Sequence, residues 1–190
     1  MPLLAVITVR NLFQVATSAD GRYGPLYNFG TARQIALSLV RHGYRLGDPE
    51  PVVLMGLSGG GQIAVGAAPI LRGLIHAPVW VVSIGGVLTS DPGIVAAEHV
   101  WQLSGSADNI QYIGRRMYPG CWRLFPNSAW NQAVRGGKIT FIPMGPMKHM
   151  GHGDYMSRSA KLPSGESHAQ KTVEVIAQSV ESIPSPVGVA

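Results

Sequence analysis

Apolar residues follow two rhythms along the 190-residue chain. Short continuous runs stand at residues 3–9 (LLAVITV), 52–55 (VVLM) and 79–84 (VWVVSI), with a less apolar run at 99–103 and another at 139–142. Runs of this length, rich in β-branched residues and bounded by turn formers, predict strands buried in a parallel sheet. Helical spacing fills the gaps between them. Thr31 and Gln34 read as a capping box, followed by an apolar face of Ala32, Ile35, Ala36 and Leu39 that Gly43 ends. Ile63, Ala67, Ile70 and Leu71 predict a second helix to about residue 72, and Val173, Ile176, Ala177 and Val180 a last amphipathic one. Strand and helix alternating in this way predict an α/β fold, with a mostly parallel sheet of about five strands flanked by helices. The segment 109–132 carries Tyr112, Met117, Tyr118, Trp122, Phe125 and Trp130, most of them expected in the core or in subunit contacts.

One strand runs straight into a helix. Residues 51–66, PVVLMGLSGGGQIAVG, place Gly56-Leu57-Ser58-Gly59-Gly60 at that junction, which fits G-x-S-x-G. Crowding explains the spacing: a sharp strand-to-helix turn brings the residues two before and two after the serine close together, so small residues are expected at 56 and 60. Ser58 is then held in a strained conformation with its hydroxyl raised clear of the sheet. Residues 57–62, LSGGGQ, also look like the signature of ABC-type ATPases with an extra glycine. That reading needs a phosphate-cradling G-x-x-x-x-G-K-[ST] loop, and the sequence has none.

Strand, elbow and helix in this order resemble the α/β-hydrolase family. The resemblance implies a serine hydrolase acting on an ester, thioester or related acyl bond, with no cofactor, and places the acid and the base downstream in the order serine, acid, histidine. Residues 101–110, WQLSGSADNI, end a strand in a turn similar to the G-x-x-D turn that presents the acid in this family, which makes Asp108 the acid. Asp91, in a Ser-Asp-Pro turn after the preceding strand, is the alternative. The base must hang over the elbow from the loop past the last strand, where His149 and His152 compete. His149, seven residues beyond Ile142, has the shorter reach and opens an H-x-G-x-G-x-Y stretch. The Gly151-His152 pair is similar to the family's more usual G-H. Gly59 supplies an N–H for the oxyanion. Residues 20–24, DGRYG, are similar to a D-x-R-x-G loop that many members carry after the fourth strand, and equally fit a surface turn.

The resemblance covers the carboxyl-terminal part of the fold, from about the fourth strand onward. The strands before it, and the loop giving the second oxyanion donor, are not visible, so an upstream chain or segment completing the sheet is an expected partner beside a small-molecule acyl substrate. The competing reading is a non-catalytic hydrolase-like binding module or a fragment of a longer hydrolase.

Composition changes this picture little. A hydrophobic share of 46% suits a single domain over residues 1–183 with a frayed tail at 184–190. The net charge of +5 is scattered, with Arg115-Arg116 the only basic doublet, which excludes a nucleic-acid footprint. No stretch reaches the ~18 apolar residues of a membrane span, and residues 3–9 lack the lead-in and cleavage site of a secretory signal. A lone cysteine, Cys121, beside Trp122, Leu124 and Phe125, reads as a packed thiol and fits a cytoplasmic setting. A metal site at His149, His152 and Asp154 lacks further ligands, and none is expected. His42, His76, His99 and His168 read as structural or exposed.

Overall fold

A computed structural model describes residues 2–185. Four strands, β1 (Val52–Leu57), β2 (Val79–Ile84), β3 (Val100–Ser104) and β4 (Ile139–Pro143), lie side by side in chain order, every pair parallel. The helices are α1 (Pro2–Ala19), α2 (Gly24–Arg41), α3 (Gly59–Ile75), α4 (Gly93–Ala96), α5 (Ile113–Met117), α6 (Ala129–Arg135) and α7 (His168–Glu181). The fold is therefore α/β with an all-parallel sheet.

Side chains alternate across the sheet. Val79, Val81, Val100 and Ile139 join α2, α3, α4 and α6 in one core, while Val82, Ile84, Trp101 and Leu103 join Met144, Met147, Tyr155 and Val175 of α7 in a second. The three crossovers between neighbouring strands run along the first face, as a sheet that steps in one direction requires. α3 lies close to the strands because its buried positions include Gly61, Ala64, Gly66, Ala67 and Ala68. The pairing sets Gly56 against Ser83, Leu57 against Ile84 and Leu103 against Ile142, which brings the carboxyl ends of the strands level.

Several expectations are corrected. Residues 3–9 are not a strand but part of α1. A seven-residue apolar run does not distinguish the two states, and the helical signal lies beyond it, where Val15 and Ser18 are buried one turn apart and the Thr17 hydroxyl donates to the Phe13 carbonyl (2.8 Å). The sheet accordingly has four strands rather than five. β1 is one of its two edge strands and is buried on one face only, leaving Met55 and Leu57 59% and 49% exposed.

α2 begins at Gly24 with Pro25 in its first turn, well before Thr31, whose hydroxyl donates within the helix to Tyr27 (3.1 Å) and caps nothing. The true capping box is Ser167 with Gln170, at the start of α7. That helix buries His168, Thr172, Val175 and Ser179, whereas Val173 and Val180 are exposed, because a polar face with internal partners takes the core side. Of the large side chains singled out at 109–132 only Trp130 lies in the core, while Met117, Trp122 and Phe125 are exposed; the helices there are too short to bury a continuous face. In the tail expected at 184–190, residues 186–190 lie outside the described residues. Among the described residues no helix is long and apolar enough to cross a membrane.

Leu71 of α3 is fully buried between the sheet and α2. Leu71→Ala is expected to lower unfolding stability by about 2–5 kcal/mol, read from the urea midpoint.

Candidate active site

Ser58 stands at the junction of β1 and α3 with φ 55° and ψ −123°. A non-glycine residue pays about 1–3 kcal/mol for such a conformation, so the surroundings must hold it. Its N–H donates to the Ile84 carbonyl (2.9 Å), and its carbonyl accepts from Gly61 (3.1 Å) and Val87 (3.3 Å). A Cβ on Gly56 would strike the Gly60 backbone. Gly60 differs from the expectation: its own Cβ position is open, because the helix turns that side toward a cavity. The second enforced glycine is Gly59, where a Cβ would strike the Val15 side chain of α1.

Three loops at one sheet edge bring Ser58, His149 and Asp108 together. Ser58 Oγ lies 2.7 Å from His149 Nε2, and His149 Nδ1 lies 3.0 and 2.9 Å from Asp108 Oδ1 and Oδ2. The His149 side chain is 7% exposed and that of Asp108 is fully buried. A carboxylate only accepts, so Nδ1 carries the imidazole proton and Nε2 faces the serine as the acceptor.

Burial of a carboxylate is tolerable when donors surround it. Asp108 Oδ1 accepts from the N–H groups of Ile110 (3.0 Å) and Gln111 (3.2 Å), and Oδ2 from the Tyr155 hydroxyl (2.9 Å). That hydroxyl accepts in turn from Gly105 N–H (2.8 Å), which leaves its proton for Asp108. Burial, more than the neighbouring carboxylate, pushes the Tyr155 phenol well above its ordinary range, with Gly105 N–H opposing, so it stays protonated. The Gln111 amide ties down the turn by donating to the carbonyls of Gly105 (2.7 Å) and Asp108 (2.8 Å). Gly85, with φ 53°, leaves room for this cluster: a Cβ there would approach Tyr155 Cε2 to 2.6 Å and Asp108 Oδ2 to 2.8 Å.

Sequence reasoning missed Tyr155, Gln111 and Gly85 as parts of the site. The closing tyrosine of H-x-G-x-G-x-Y was the available signal for the first. Nothing in the sequence distinguishes the others.

The alternatives lie elsewhere. Asp91 accepts from Gln62 Nε2 (2.9 Å) and Gly93 N–H (2.7 Å), and burial raises its pKa despite both bonds. It braces the loop after β2. His152 is exposed. Residues 20–24 join two helices, not a strand and a helix, and Asp20 closes the turn by accepting from the N–H groups of Arg22 (2.7 Å) and Tyr23 (2.9 Å). Burial pushes the Cys121 thiol up to about 11, only partly offset by Arg115, so it is no thiolate at neutral pH. His168, buried, holds the 153–154 backbone through Nδ1, 3.1 Å from the Gly153 carbonyl. Among the described residues no three His, Cys, Asp or Glu side chains gather where a metal ion could sit.

No family model, curated protein or solved structure matches the chain. Geometry alone therefore speaks for what the site does.

A cavity of about 500 Å³ opens beside Ser58 and His149, lined also by α1, α3 and the loops after β2 and β3. The first N–H groups of a helix have no partner within it, so Gly59 presents a donor at the amino terminus of α3, next to the serine. Among the described residues no strand precedes β1 to carry a second donor loop, and α1 stands over the elbow instead, with Asn11 and Gln14 in the cavity wall.

Gly56→Ala is expected to cost about 1–3 kcal/mol through the enforced shift of α3 from β1, while Gly60→Ala is neutral or stabilising by a few tenths; paired thermal melts check this. Tyr155→Phe strands the buried Gly105 N–H and removes a donor from Asp108. Its expected cost is about 1–3 kcal/mol in chemical denaturation.

Proposed function

We propose that the protein is a serine hydrolase that cleaves an ester, thioester or related acyl bond. The observation that carries this reading is the 2.7 Å approach of His149 Nε2 to the hydroxyl of Ser58, a residue held at positive φ. A positioned base activates a hydroxyl that is a weak nucleophile on its own. Ser58 Oγ attacks the acyl carbon as its proton passes to His149 Nε2. The carbonyl oxygen takes up negative charge against the Gly59 N–H, and Asp108 orients the imidazole and stabilises its cation. Collapse of the tetrahedral intermediate breaks the bond to the leaving alcohol or thiol, which receives the proton from Nε2. Water then attacks the acyl-serine, gives its proton to Nε2, and the acid leaves as Ser58 regains its hydrogen.

No cofactor enters these steps. The single cysteine supports a reducing, cytoplasmic setting. A second reading, a hydrolase-like binding module, is favoured by one observation: among the described residues no strand precedes the elbow strand to carry the second donor loop that the α/β-hydrolase resemblance implies.

A fluorophosphonate probe separates the two. The hydrolase reading expects labelling of the folded protein, abolition by Ser58→Ala, a loss of at least ~100-fold in labelling rate with His149→Ala and no change with His152→Ala. Absence of labelling at every pH between 6 and 9 in folded protein would leave the binding module.

A further inference from the structure

The cavity beside Ser58 narrows the acyl group. Its walls are Leu12 and Val15 from α1, Leu57, Ile63 of α3, Ile113 of α5 and Met150 next to the histidine. Among the described residues no Lys, Arg, Asp or Glu lines it, and apart from Ser58 and His149 its polar side chains are the amides Asn11 and Gln14. Its volume of about 500 Å³ lies within the range of small-molecule pockets. Leu12 and Met150 are 65% and 63% exposed and Ile113 is 39% exposed, so apolar surface around the serine faces water until a ligand covers it.

These walls select by chemistry. A charged acyl group, such as that of an amino acid or a dicarboxylic half-ester, would lose water and meet no counter-ion there. An acyl group rich in hydroxyls would find two amides for many bonds. An aliphatic chain gains from every wall.

We propose that the site takes esters or thioesters of uncharged aliphatic acids of medium length, with the acyl chain lying against α1 and the α3 side of the cavity. This rests on the serine hydrolase reading for the chemistry, though not for the binding. α1 is then a specificity element rather than a bystander, because Leu12 reaches the cavity from a helix that packs on the elbow through Val15 and Gly59.

The experiment compares kcat/KM for the p-nitrophenyl esters of acetate, butyrate and octanoate, each below its micelle concentration. Full burial of a methylene is worth roughly fourfold, and half-burial in an open cavity about twofold, so octanoate, with six more methylenes, is expected to exceed acetate by about sixtyfold. The half-ester of succinic acid is expected to fall below butyrate. Leu12→Asp, a change at a largely exposed position that spares the fold, is expected to lower the octanoate-to-acetate ratio at least tenfold at an unchanged melting temperature. A flat or falling chain-length profile, or a ratio indifferent to Leu12→Asp, overturns the proposal while fluorophosphonate labelling of Ser58 keeps the hydrolase reading. Should neither labelling nor turnover occur, the hydrolase reading fails alone. Binding of octan-1-ol, followed by NMR shifts of the Ile63 and Ile113 methyl groups, then decides: saturable shifts that Leu12→Asp weakens support the apolar site, and their absence overturns it.

Discussion

Everything at the sheet edge depends on how closely α3 can approach β1. The chain reverses from strand to helix within one residue, and the backbone of Gly60 occupies the space a side chain at Gly56 would need. That proximity forces Ser58 to positive φ, and the cost is borne by three backbone hydrogen bonds, with β2, the loop after it and α3, that converge on this one residue. The same demand continues along the helix. Gly61 rests on Ser83 and Gly86, and Gly66 rests on the buried amide of Asn28, which is itself tied to α1 by the Ser18 hydroxyl (2.8 Å). Small residues on one face of α3 thus fix the serine, the sheet and two amino-terminal helices relative to one another.

Asp108 and His149 are placed from the opposite side of the sheet. Asp108 is held by its own turn, but its fourth donor, Tyr155, belongs to the segment leading into α7. Thr172 of that helix donates to the Tyr155 carbonyl (2.8 Å), and His168 grips the backbone two residues earlier. Helix α7 has no side chain in the site, yet its polar buried face sets where the phenol, and through it the carboxylate, can sit. This explains why that face is not the apolar stripe its sequence suggests. Burying Thr172 and His168 costs little when each has a backbone partner, and what is gained is a fixed loop.

Legibility in the sequence followed the range of the interactions. Strands β1 to β4, the strand-to-helix turn at Ser58 and the placement of Asp108 and His149 beside it could all be read because each is announced within about ten residues: an apolar run, a glycine pattern, a turn at a strand end. Residues 3–9 misled for the same reason, since a short apolar run carries no period, and the helical register lies in Val15 and Ser18 further on. The edge position of β1 was invisible because burial on the second face depends on what lies beside it. Gln111 and Gly85 were unreadable as supports of Asp108, since their roles exist only once β2 and β3 are paired.

On the serine hydrolase reading, one donor at Gly59 among the described residues, against the two that the α/β-hydrolase resemblance implies, bears on how fast such a site can run. The absence of a single oxyanion donor costs roughly a hundred- to a thousandfold, or about 2.7–4 kcal/mol, whereas enzymes lower barriers by about 8–23 kcal/mol in all. On the proposed reading, a serine already strained into place, an imidazole at 2.7 Å and a fully buried, hydrogen-bonded carboxylate supply terms that do not depend on that donor. The helix standing where a donor loop would be expected offers amides and aliphatic side chains instead, so binding energy from an apolar chain can orient the carbonyl that hydrogen bonding holds less tightly. On the proposed reading, a site built this way trades transition-state electrostatics for positioning, and its rate depends on the acyl chain more steeply than that of a site with two donors.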